Sequence, residues 1–71
     1  MNAKNLLARM EVLNISAYRL SQISKVPQSA ISRYKTGERE ASEGNLLAIA
    51  DALGCSVDYL MGRTNNPEIN R

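Results

Sequence analysis

The side chains suited to recognition chemistry are concentrated between Ser16 and Gly37, in the stretch SAYRLSQISKVPQSAISRYKTG. Within it, Gln28, Ser29, Ser32, Arg33, Lys35 and Thr36 supply amide, hydroxyl, guanidinium and ammonium groups and not one carboxylate. At about 100° per residue these six share one face of a helix, and Pro27, Ala30, Ile31 and Tyr34 share the other. A helix kept only for stability usually mixes signs at i,i+4 spacing, whereas one lying against a polyanion must keep negative charge away. The groups present are also those that read base edges: Gln can bond adenine at two points, Arg can bond guanine at two points, and Ser can donate or accept. The competing reading of six polar residues is an ordinary solvated surface helix.

Positioning such a face takes two short helices joined by a tight turn. Ser16 is placed to cap the first, and Pro27, with its fixed φ and missing N–H, suits the first helical position of the second. Together they make a helix-turn-helix candidate. Leu20 and Ile23 are expected to point inward from the first motif helix, with Arg19 and Gln22 outward. Before the motif, Ala3, Leu6, Leu7, Met10 and Leu13 recur at helical spacing and predict a core-facing helix over about Asn2 to Leu13, ended by Asn14 in a left-handed conformation. After Gly37 the charged segment EREAS has no apolar period and predicts a loop. Ser42 then caps a helix whose Leu46, Leu47, Ile49, Ala50 and Leu53 form a wide apolar face ended by Gly54, and Ser56 caps a last short helix through Met61 that ends at Gly62. The expectation is an all-α domain of five helices over residues 1–62, with 63–71, RTNNPEINR, as a flexible C-terminal tail or the start of a linker.

Residues 16–37 resemble the helix-turn-helix of the phage Cro/CI repressor-like (XRE) family, and the similarity continues through NLLAIADALGCSVDYLMG. The parts sit at fixed separations: Leu20 in the first motif helix, Val26 after the turn, Ile31 inside the second helix and Gly37 just after it. The resemblance implies a compact five-helix lambda-repressor-like fold, with Gln28, Ser29, Ser32 and Arg33 at the positions that usually face DNA bases. Four residues depart from the pattern. Lys25 stands where the family usually has Gly in the turn, so a positive φ there costs about 1 kcal/mol. Ser21 stands where it usually has Ala, and its hydroxyl can bond back to the i−4 carbonyl. Ala17 stands where it often has a phosphate-binding Gln, which leaves phosphate anchoring at that end to backbone N–H groups and the Ser16 hydroxyl. Lys35 occupies a position where the family often has Glu paired with an Arg of the first helix; here the partner position is about Met10, and the ion pair is lost.

Composition bounds the remaining choices. Seventy-one residues make one small domain without room for an enzyme cleft, and with three Tyr, no Phe and no Trp its core must be aliphatic. The lone Cys55 has no partner for an internal disulfide and suits burial as a small apolar residue. With no His and one Cys, neither a zinc site nor a His-based triad can be built. There is no glycine-rich phosphate loop, so no enzyme, cofactor or small-molecule substrate is expected. No apolar run reaches signal-peptide or membrane-span length, which predicts a soluble, cytoplasmic chain with no membrane partner. The net charge is only +2, but residues 1–37 hold six basic side chains and one acid, and residues 38–71 hold three basic against six acidic. Such polarity suits a domain that turns its N-terminal half toward nucleic acid.

The function expected is therefore that of a sequence-specific double-stranded DNA-binding regulator. The resemblance makes it a repressor of phage or mobile-element type that acts in a prokaryotic cytoplasm by occupying an operator. A protein-interaction module of antitoxin type is the alternative on the same helical frame. Phosphate contacts are expected from Ser16, Ala17, Arg19, Lys35, Thr36 and Arg39. Because one short helix reads few base pairs, a weak homodimer on a palindromic operator is expected, with Tyr59 and Met61 of the last helix, which lack an evident internal partner, at its interface.

Overall fold

The computed structural model describes residues 1–68. Five α-helices follow in order: α1 (Ala3–Leu13), α2 (Ala17–Ser24), α3 (Gln28–Thr36), α4 (Glu43–Leu53) and α5 (Val57–Leu60). Local chemistry sets most of their ends. Oγ of Ser16, Ser42 and Ser56 accepts from the N–H three residues on, at 3.1, 3.3 and 3.1 Å, and Asn2 Oδ1 does the same for Asn5 at 3.1 Å. Each such cap satisfies an orphan donor and contributes about 1 kcal/mol. Four helices stop at a left-handed residue: Asn14, Lys25, Gly37 and Gly54. Lys25 holds φ at 63°, so the turn of the motif carries the strain its sequence predicts. Ser24 helps close that turn, its hydroxyl donating to Leu20 O (2.7 Å) and accepting from Val26 N–H (3.2 Å).

Helix α2 packs across α3 and α4, while α1 closes the other side against α3, α4 and α5. The side chains between them are aliphatic, as composition requires: Leu6, Leu20, Ile31, Ile49, Leu53 and Leu60 have at most 1% of their surface exposed. Tyr34 is buried, and its hydroxyl accepts from Asn45 Nδ2 at 3.0 Å, which ties α3 to α4. Cys55 is buried as a free thiol; burial pushes its pKa up against the opposing pull of the Arg9 charge, so the thiol stays protonated at neutral pH.

Several inward assignments are corrected. Leu7 and Leu13 are each 43% exposed, because α1 is rotated so that Asn5 and Arg9 face the bundle. Arg9 donates to Leu53 O (3.1 Å) and Gly54 O (3.4 Å), and Asn5 Nδ2 to Tyr59 O (2.7 Å). The carbonyls ending α4 and α5 need donors, and α1 supplies them. Ile23 and Leu47 lie on the flanks of α2 and α4 and are half exposed. On α2 the smaller Ala17, Ser21 and Ser24 are half-buried instead, which allows close approach. Pro27 is exposed and acts as the N-cap of α3 rather than its first residue, its ψ of 139° being extended. The Ser21 hydroxyl bonds the i−3 carbonyl of Tyr18, at 2.6 Å, rather than i−4. After α5 the chain runs in turns and bends, and Ser56 N–H donates to Pro67 O at 2.9 Å. Residues 69–71 of the expected tail lie outside the described residues.

Candidate nucleic-acid interface

Helix α3 is anchored by Ile31 and Tyr34 and turns Gln28, Ser29, Ser32, Arg33 and Thr36 to the surface. Five of the six predicted polar residues therefore share one exposed face. Lys35 sits at its edge and is half-buried, lining a hollow of about 510 Å³ with Leu7, Met10, Glu11, Asn14, Ile15 and Ser16. Lys35 thus shares the hollow's lining with Met10, the residue at the family's Arg position, and with Ser16 at the start of α2. The Thr36 hydroxyl donates to Arg33 O at 3.0 Å, so its proton is already engaged.

At the start of α2, Ser16 is exposed and Ala17 is packed against the core. Ser16 Oγ is used as an acceptor, which leaves its proton available to a ligand. The first N–H groups of α2 have no partner within the helix, and together with Ser16 and Lys35 they make a positively polarised corner suited to an anion. Glu11 also lines the hollow and brings an opposing charge. Arg19 is exposed and donates to Gln22 Oε1 (3.4 Å), whose amide nitrogen donates in turn to the Tyr18 hydroxyl (3.0 Å). Arg39 is exposed in the loop after α3; its flanking acids are engaged elsewhere, Glu38 with Arg33 and Glu40 with the Met1 amino group. Their repulsion toward a phosphate near Arg39 is reduced accordingly.

A family model described as helix-turn-helix matches residues 6–60, which include all five helices except the first residues of α1. The chain belongs to the XRE-type helix-turn-helix family. It is 41% identical over 54 residues to repressor protein C2 of Salmonella phage P22, a match that covers 76% of this chain and 25% of that repressor. The chain thus spans about a quarter of the length of this relative. It is also similar, with a TM-score of 0.77 and 37% identity, to the solution structure of the DNA-binding domain of the P22 C2 repressor, covering 86% of each chain. Within the family frame the departures at Lys25, Ser21 and Ala17 are all accommodated without loss of the helix pair.

The fold places Ser16 and Lys35 on the lining of one hollow and leaves the polar face of α3 open, but it keeps Tyr59 and Met61 apart in character. Tyr59, expected to lack an internal partner, is half-buried and packs against the core; Met61 is exposed. Sequence reasoning missed the Tyr18–Gln22–Arg19 chain and the Arg33–Glu38 pair. The i,i+4 spacing of Tyr18 and Gln22 was a signal for the first, and Gly37 just before Glu38 was one for the second.

Proposed function

We propose that this chain binds duplex DNA sequence-specifically and represses transcription by occupying an operator with α3 in the major groove. The observation that carries the reading is the exposed, carboxylate-free face of α3, in which Gln28, Ser29, Ser32 and Arg33 offer the donors and acceptors that base edges require. The α2 N-terminus, Ser16 and Lys35 hold one backbone phosphate, and Arg19 and Arg39 add longer-range contacts to neighbouring ones. Similarity to a solved DNA-binding domain of a phage repressor supports this reading over the antitoxin-type alternative. Two copies bind one palindromic site, with half-site centres about 34 Å apart and Tyr59 and Met61 at the contact between them. The chain acts in a prokaryotic cytoplasm, on the nucleoid.

Selection of preferred duplexes from a random pool, followed by titration of the winner at several salt concentrations, tests the reading. The expected result is a defined site whose affinity falls steeply with salt as counterions are released. Failure to enrich any sequence would refute it.

A further inference from the structure

Glu38 is an acid at the end of a surface otherwise free of carboxylates, where attraction to DNA gives no reason for it. The backbone fixes its place. Gly37, in the left-handed conformation at φ 77°, reverses the chain, its N–H donating to Tyr34 O (3.2 Å) and that of Glu38 to Arg33 O (3.0 Å). This Schellman-type closure lays residue 38 back over Arg33. The Glu38 Oε2 then comes within 3.9 Å of Arg33 Nε. Among the described residues no hydrogen bond engages the two terminal nitrogens of Arg33, the fork that matches guanine O6 and N7.

With side chains 56% and 70% exposed, such a pair adds little to stability in water. Its consequence belongs to the bound state, where water leaves the groove. A carboxylate at Nε restrains the long arginine with its fork free, and it opposes any pose in which the guanidinium leaves the base for a phosphate, since that would bring phosphate toward Glu38. We infer that Glu38 is a specificity-determining residue: it braces Arg33 for guanine and disfavours its use as a plain phosphate contact. The inference rests on the proposed DNA-binding reading of α3.

The test measures binding of wild type, Glu38→Gln, Arg33→Ala and the double variant to the duplex that wild type selects from a random pool, to its single-base variants, and to an unrelated duplex of equal length. Melting curves confirm that each variant is folded. The expected result for Glu38→Gln is a loss of about three- to ten-fold in discrimination at the one base pair whose preference Arg33→Ala also abolishes, with affinity for the unrelated duplex rising about two-fold. In the Arg33→Ala background, Glu38→Gln should leave discrimination unchanged. If it tightens binding to every duplex alike, with or without Arg33, Glu38 only repels phosphate and the inference is overturned while the DNA reading stands. If wild type selects no site, both fall.

Discussion

Gln28 and Arg33 illustrate how one side chain can matter to binding and little to folding. Both are exposed on α3, and neither occupies the core, so Gln28→Ala and Arg33→Ala should each weaken specific binding by about 1–3 kcal/mol while melting near wild type. Titrations and melts on the same proteins check this; unfolding of either variant would contradict the placement of the face. Arg9 is the opposite case. Its guanidinium bonds the last carbonyls of α4 at the negative end of that helix, and its stem lies against the bundle. Arg9→Ala should cost about 1–3 kcal/mol in urea denaturation and leave the α3 base preference unaltered.

Among the elements, the turn between α2 and α3 is the one held against a local preference. Lys25 has φ 63° and ψ 18°, a conformation that disfavours a side chain with a Cβ. Lys25→Gly relieves the strain but adds freedom to the unfolded chain, so the net gain expected is about 0.5 kcal/mol, read as a rise in melting temperature. A fall would mean that the lysine stem makes packing contacts worth more than the strain. The helix starts hold no such conflict. Serine caps at 16, 42 and 56 lie one residue before each helix, and this i,i+3 chemistry was legible because both partners are neighbours in the chain.

For the whole molecule, stability depends on a small aliphatic core that tolerates few losses. Leu20→Ala and Leu53→Ala remove fully buried methyl groups and should each cost about 2–5 kcal/mol, whereas Ile23→Ala and Leu47→Ala, on half-exposed flanks, should cost under about 1 kcal/mol. Chemical denaturation of the four variants separates the two classes; equal losses would contradict the observed burial. Assembly is the second molecular property at stake. A weak dimer, strengthened by the selected duplex, is expected in sedimentation equilibrium. Tyr59→Ala/Met61→Ala should reduce cooperativity of DNA binding, with a melt to account for the packing that Tyr59 loses. A single copy on a non-palindromic site would exclude that arrangement.

Helix number, helix ends and the identity of most core residues were determined by the sequence itself, because caps, left-handed stops and apolar spacing act between residues three or four apart. The polar face of α3 was legible for the same reason, since Ile31 and Tyr34 fix which side turns inward. Only the tertiary structure decided how far each helix is rotated. The carbonyls at the ends of α4 and α5 draw Asn5 and Arg9 of α1 inward and leave Leu7 and Leu13 half exposed, an exchange between residues more than forty positions apart in the chain. It also brought Lys35 and Ser16, the N-cap of α2, to the lining of one hollow, whereas the approach of Glu38 to Arg33 follows from the local turn at Gly37. Periodicity places a side chain on a face of its own helix; which neighbours that face meets depends on the packing of helices distant in sequence.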